Sequence, residues 1–530
     1  MRSHRALAAV AVLAAAATGI AGCSSGPSSS AGPSGAPSAA AGRSGVFTVG
    51  MGEPATTMDP ASVAPAAYAS YDYDPLIYQE PDGSFAPDLA TSWQYVGSGN
   101  KSFQLTLRPG VHFADGSLMT ATAVKNSLEY FLHNKMANVS PVGPVSGITT
   151  PSADTVVINY SSSFPNAVIS LTQDWNFGLV LGPKGIADPS SLANSSDGAG
   201  EYELVPSQTV AGSVYTSVPD KYYWNQAAIR FDKVVIKPFT SASAEIAALD
   251  SGQIDFAQNI AAPDVATAQA AGKTISDGPS TWSSLMLENR VSGPLANVKV
   301  REALEYAINR AAIIKAIYFG YASPQDEFAV KGLTGYLDSD ANMYPYDPAK
   351  AKALLAAAGY PNGFKISMLD VAALDKNAVL AQAVASDLTA VGVQVSITES
   401  EGTFATLQTQ LFSRKFDTLV MPTKAGNLYY EASQTLPAND QSLGNAFFTT
   451  DPVMNQLFTE AAQAPTVAAQ DAYLQQLNHE MDLQAWFAPI ALVLSMQATS
   501  ASVTGVPASF LTVDQDPCNP VAAKNWALAG

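Results

Sequence analysis

Cysteine is almost missing from this chain. Two thiols, Cys23 and Cys518, serve 530 residues, which excludes a disulfide framework and a cysteine-built metal site. Histidine is scarce too. His4, His112, His133 and His479 stand at no ligand spacing from one another, so no metal centre is expected. Charged residues make up only 14% of the sequence, and acids outnumber bases 45 to 27, for a formal charge of −18. That balance argues against a nucleic-acid partner and speaks to solubility. After residue 22 no apolar run is long enough to span a bilayer. Catalytic signatures are missing as well. No Gly-x-Ser-x-Gly turn occurs. Gly272-Lys273-Thr274 ends like a phosphate loop but has Thr267 where the first glycine of such a loop belongs. No catalytic residue and no cofactor is therefore nominated. Folding can still bring two of the carboxylates together, so a secreted envelope hydrolase stays open as an alternative.

What is present starts with an address. Residues 1–22 have the layout of an export signal: basic Arg2, His4 and Arg5, then apolar Ala6 to Ala17, too short to span as a mature helix. Ile20-Ala21-Gly22-Cys23 resembles a bacterial lipoprotein cleavage box, which implies cleavage before Cys23 and diacylglycerol on its sulfur. An ordinary secretory signal with an incidental cysteine is the alternative. Residues 23–45 are almost wholly Ser, Gly, Pro and Ala and bury too little apolar surface to fold. They are expected to be a disordered tether that holds a globular body off a membrane. Cys518 then has no partner.

The body reads as mixed strands and helices. Phe103, Leu105 and Leu107 alternate with polar residues along Ser102 to Arg108, which predicts a half-buried strand. Pro109-Gly110 and Asp115-Gly116 turn the chain. Thr120 caps a helix whose Val124, Leu128, Phe131 and Leu132 share one side. Further strands are expected at 46–49, 155–160, 231–236, 283–289 and 393–397, and helices at 245–249, 348–359, 378–390 and 469–483, with another starting at Asp451-Pro452. The Gly, Ser, Asp and Pro of 182–200 read as loop. From the cap Asn297, an apolar stripe through Val300, Leu304, Ala307, Ala311, Ile314 and Tyr318 predicts one helix that ends at Gly320.

Several stretches follow one another in a distinctive order. Pro87-Asp88-Leu89-Ala90-Thr91-Ser92-Trp93, Leu107-Arg108-Pro109-Gly110-Val111-His112-Phe113, Asp115-Gly116, and Thr120-Ala121 with Val124 together resemble the signature of extracytoplasmic solute-binding proteins. The type is the oligopeptide, dipeptide and nickel one, which delivers ligand to an ABC importer. Gly198-Ala199-Gly200-Glu201-Tyr202, Tyr222-Tyr223-Trp224, Val300-Arg301-Glu302-Ala303-Leu304 and Tyr306-Ala307-Ile308-Asn309-Arg310 extend the resemblance, with Glu201 where the family has Pro. It covers roughly residues 46 to 500. It implies an α/β fold of two lobes, periplasmic-binding-protein-like and of type II, closing over a central cleft. The first lobe would comprise 46–80, 197–283 and 497–530, with a subdomain, 81–196, inserted in it. The second lobe would be 284–496, and the chain crossings near Asn289 and Met496 would form the hinge.

The function so implied is capture of a small solute, peptide or peptide-like, and its delivery to a membrane permease without catalysis. The protein would be a monomer anchored to the outer face of the cell membrane through Cys23. One departure bears on the ligand. Peptide-binding relatives carry an Asp after the segment matching Phe416-Asp417-Thr418-Leu419, whereas this chain has Lys424-Ala425-Gly426-Asn427-Leu428-Tyr429-Tyr430-Glu431. Asn427 accepts a hydrogen bond but does not neutralise an ammonium, so a sugar-like, aromatic or otherwise uncharged ligand stands beside a peptide. Tyr73, Trp175, Trp282, Asn427, Tyr429 and Tyr430 are the candidate ligand contacts, aromatic walls with one aimed polar group. For each aromatic, burial in a core is the competing role. A non-transport sensor or chaperone on the same fold is a further alternative.

Overall fold

The computed structural model describes residues 43, 45–52, 55–62, 66–80, 82–134, 142–173, 175–258, 260–370, 379–400, 404–424, 428–437, 444–509 and 526–528. The fold is that of the unit Ala41–Gly530; Cys23, Cys518 and Asn427 lie outside the described residues.

Strand β1 (Val46–Met51) opens the body. The chain then leaves to build a separate four-stranded antiparallel sheet from β2 (Ala90–Tyr95), β3 (Ser102–Leu107), β4 (Val145–Ser152) and β5 (Thr155–Tyr160), in the order β2-β3-β5-β4. Alternation decides which face is covered: Phe103, Leu105 and Leu107 are buried and their neighbours are not. Helix α1 (Ala121–Leu132) lies on that face with Val124, Leu128 and Phe131 buried, and Thr120 caps it by accepting from the Ala123 N–H at 3.2 Å. This subdomain has its own core, from Ala61 to Ala199.

The chain returns through β6 (Tyr202–Leu204), β7 (Tyr215–Pro219) and β8 (Lys233–Pro238), then α2 (Ala242–Asp250) and β9 (Phe256–Ala257). Two long strands, β10 (Thr274–Leu287) and β14 (Phe487–Thr499), pair antiparallel along almost their whole length. Between them in sequence come α3 (Val298–Ala307), α4 (Arg310–Ile317), β11 (Phe364–Asp370), β12 (Val393–Glu399), β13 (Thr418–Lys424), α5 (Leu428–Thr435), α6 (Pro452–Gln463) and α7 (Val467–Leu483). The sheet order is β12-β11-β13-β10-β14-β9-β1-β8-β7-β6, with Ala322–Pro324 added against β14. The β10/β14 pair thus runs through both halves, and each half buries separate cores on its own elements.

Two local expectations are corrected. The helix predicted from Asn297 to Gly320 is two helices. Ile308 is extended (ψ 120), and Asn309 starts the second by accepting from the Ala312 N–H at 3.0 Å. Buried Arg310 uses the break: its Nε donates to the carbonyls of Pro489 (2.7 Å) and Gln325 (3.1 Å), and its Nη2 to Glu305 Oε2 at 2.5 Å. An apolar stripe does not reveal the interruption, because both helices turn apolar residues to the same core. The stretch 182–200 holds a short helix, Pro183–Ala187, and a 3-10 turn, Pro189–Ala193. Asp197 organises it by accepting from the Gly185 N–H at 2.7 Å.

Candidate functional site

Strand direction locates the site. β8 and β9 run parallel to β1, and β9 is antiparallel to β14, which passes from the second lobe into the first. The first lobe's parallel strands therefore run toward the crossing. On the other side β11 and β12 run parallel to each other, β11 runs parallel to β13, and β13 is antiparallel to β10. These strands also run toward the crossing. The carboxyl ends Met51, Pro238 and Ala257 thus face Asp370, Glu399 and Lys424, and ligands of open α/β sheets bind outside the carboxyl ends of strands.

The first-lobe side of this region is held by side chain to backbone bonds. Gly52 N donates to Gln258 Oε1 at 2.8 Å, and Gln258 N donates to the buried carboxylate of Glu245 on α2. Gly50 is tightly packed there, since a Cβ would fall 2.6 Å from Ile254 Cδ1, 3.0 Å from Glu245 Cγ and 3.2 Å from Phe256 O, so these neighbours would have to shift. Across the crossing, Ser400 N donates to Asp370 O at 2.8 Å, joining the ends of β12 and β11.

The candidate contacts fare differently. Trp175, from the segment after β5, and Tyr430, on α5 of the second lobe, meet with ring centroids 5.6 Å apart in an edge-on arrangement. Tyr73 is corrected: it is fully buried among Ala69, Leu179, Leu181 and Leu192, and its hydroxyl accepts from the Asp197 N–H at 3.2 Å. Tyr429 is also a core residue. It stacks on Phe458 of α6 at 4.7 Å, and burial pushes its hydroxyl up to about 12. Trp282 sits on β10 opposite Thr423 and Leu492; its side chain lies outside the described residues, as Asn427 does.

The two residues expected at the hinge, Asn289 and Met496, lie on either side of the β10/β14 register shifts. Asn289 lies past the far end of β10, where its Nδ2 donates to Asp417 Oδ1 at 2.9 Å inside the second lobe. Met496 faces Asp277 and packs in the first lobe with Leu249, Ile254 and Ile260. Between them the β10/β14 register shifts at Pro279/Thr281 and again at Ser283/Ser284. Such irregularities are where a strand bends.

The matched motifs hold backbone. Arg301 donates to Gln484 O at 2.9 Å and Leu295 O at 2.8 Å. Arg108 lies 3.8 Å over the Trp224 ring and donates to Asp88 O at 2.9 Å, and Trp224 Nε1 donates to Asp74 Oδ2 at 3.1 Å. Gly198 and Gly200 approach Asp72 so closely that a Cβ would come within 1.9 Å of its carbonyl oxygen and 2.5 Å of its carbonyl carbon respectively. Among the described residues no group of three or more His, Cys, Asp or Glu is arranged to hold a metal. His112, His133 and His479 bond separately to Gly110 O, Glu129 O and Asp340 Oδ2. No helix among the described residues is long and apolar enough to cross a membrane.

Sequence reading missed Asn100 and Ser163, which reach from the subdomain to α6 of the second lobe. The only signal was the glycine-rich turn Gly97-Ser98-Gly99-Asn100.

Residues 84–445 match the family described as bacterial extracellular solute-binding proteins, family 5 Middle. The glutathione-binding protein GsiB of Salmonella paratyphi A is 30% identical over 337 residues, and the match spans 60% of this chain and 62% of that relative's length. Among solved structures, the PBP AgaA in complex with agropinic acid, from A. tumefacien R10, covers 92% of this chain and 99% of its own, with a TM-score of 0.72 and 24% identity. The unliganded open form of MppA, a periplasmic murein tripeptide binding protein, covers 91% and 97%, with a TM-score of 0.75 and 21% identity. At these identities the likeness shows the fold, that of two-lobed periplasmic binding proteins. The chain belongs to the family 5 extracellular solute-binding proteins, a family of binding proteins and not of enzymes.

Proposed function

We propose that this family 5 chain captures a peptide or peptide-like solute between its two lobes and hands it to an ABC permease. The meeting of Trp175 and Tyr430 carries the reading, since it brings an aromatic ring of the inserted subdomain into contact with one of the second lobe. A ligand that touches both rings binds the closed form better than the open one and shifts the population toward it. The glutathione named for the GsiB relative, the tripeptide named for MppA and the agropinic acid named for AgaA are the first ligands to try. The hinge in this reading is the pair of register shifts in β10/β14, with Asn289 and Met496 as its flanks. The chain acts as a monomer outside the cell membrane, tethered by lipid on Cys23 through residues 24–45.

The test is a thermal-shift screen with glutathione, di- to tetrapeptides, opines and oligosaccharides. A ligand at a hundred times its Kd adds about 2.7 kcal/mol. Tyr430→Ala should weaken the hit tenfold or more while leaving the ligand-free melt in place, whereas Trp175→Ala, at a buried residue, should weaken the hit and lower that melt as well. A folded protein that answers to none of these compounds would sink the reading. Loss of membrane association in a Cys23→Ser variant tests the anchor.

A further inference from the structure

The inserted subdomain also reaches the second lobe through two loops, at Asn100 and at Ser163. Asn100 closes the turn between β2 and β3 in the left-handed region, with φ 50, after Gly97 and Gly99 at φ 79 and 75. Its Nδ2 donates to Ala464 O at 2.9 Å and to Ala462 O at 3.4 Å. Ser163, on the loop after β5, donates through Oγ to the same Ala462 carbonyl. The two loops are tied together, because Phe164 N donates to Asn100 O at 3.1 Å and Tyr95 Oη donates to Phe164 O at 2.5 Å. Ala462 and Ala464 stand at the C-terminal end of α6. The last carbonyls of a helix have no partner within it. Here one lobe supplies the donors for the other lobe's helix end. In an opened molecule water would take those carbonyls, so each bond is exchangeable and contributes a modest net amount.

We propose that Asn100 and Ser163 form a closure latch, neutral donors whose bonds to the end of α6 set how much of the ligand-free protein is closed. Apparent affinity scales with the closed fraction, so the latch tunes ligand affinity without touching ligand. Its role in uptake rests on the solute-binding reading. Its geometry does not.

The test therefore uses no ligand in its first arm. Spin labels at Thr149→Cys in the subdomain and Lys352→Cys in the second lobe, both exposed, report the interlobe distance in the full chain carrying Cys23→Ser and Cys518→Ser. Asn100→Gly keeps the left-handed turn and removes the amide. The ratio of short to long distances should fall roughly 2- to 10-fold, the worth of one hydrogen bond. Asn100→Asp sets a carboxylate against two carbonyl oxygens and should open the protein further, and Ser163→Ala less. The second arm titrates glutathione, whose Kd should rise by the factor by which each variant lowers the closed fraction. Unchanged distances in all three folded variants, or a parent that shows only the long distance, would overturn the latch. Failure of glutathione to bind while the distances shift would count against the ligand reading alone.

Discussion

The inserted subdomain has two seams, and they are built on different principles. Toward the first lobe, Arg108 stacks on Trp224, whose indole packs against both the subdomain core and the first-lobe core. Two glycines let the backbone at 198–200 lie against Asp72. Toward the second lobe the contacts among the described residues include two neutral donors on helix-end carbonyls and an edge-on aromatic pair. The first seam interlocks shapes that cannot part without leaving buried polar groups unpaired, which is costly. The second exchanges bonds with water at little cost. In the proposed reading the contrast separates a joint that stays shut from one that opens, and the motif residues Asp88, Arg108 and Trp224 belong to the shut one.

Arg108→Ala should break the fixed seam most. The lost stack and charged hydrogen bond predict about 2–3 kcal/mol of destabilisation in chemical denaturation. A loss below about 0.5 kcal/mol would erase the distinction between seams.

A second measurement separates lobe interior from seam. Burial pushes the Glu327 carboxyl up to about 7, opposed by the Leu337 N–H and the Asn478 amide, with Asp326 and Asp340 pushing it further up. Burial likewise raises Glu305 to about 7, opposed by Arg310. A carboxyl raised in the folded state binds a proton that the unfolded chain has released. Stability is therefore fully present below the ordinary value of 4.5 and is lost as pH rises through about 7. Glu327→Gln should flatten this decline by about 1–2 kcal/mol between pH 5 and 7. The latch donors do not titrate, so the interlobe distances should stay flat over the same range. A closure equilibrium that follows the stability curve would merge what the comparison holds apart.

Smaller effects sharpen it. Trp224→Phe keeps an aromatic face for Arg108 but removes the donor to buried Asp74, for a loss of about 1 kcal/mol in the same denaturation. Asn100→Gly should lower unfolding stability by no more than about 1 kcal/mol, the worth of one hydrogen bond, while opening the molecule. A stability loss as large as that of Arg108→Ala would place Asn100 in the fixed class.

How far the site could be read in advance depends on the range of the interactions involved. Thr120, Asn297, Asp347 and Asp451 cap helices as expected, each accepting from an N–H two or three residues on. Gly252, Gly320 and Gly359 take φ of 72, 88 and 95 as helix-ending glycines do. Of the four candidate aromatics whose side chains are described, Trp175, itself buried, and Tyr430 meet across the lobes, while Tyr73 and Tyr429 pack in cores. Composition treats these four alike, because ring size says how much area a residue can bury but not against what.

The amino-acid order alone determined the caps, the turns, the alternating strands and the spaced motifs that mark the family. Each of these depends on groups a few residues apart, whose geometry the local backbone dictates. The break at Asn309, the crossing between Asn289 and Met496, and the bonds from Asn100 and Ser163 to the end of α6 were decided only when the lobes packed. Those partners stand up to 364 positions apart, and no local rule sets which donor reaches which carbonyl over such a span.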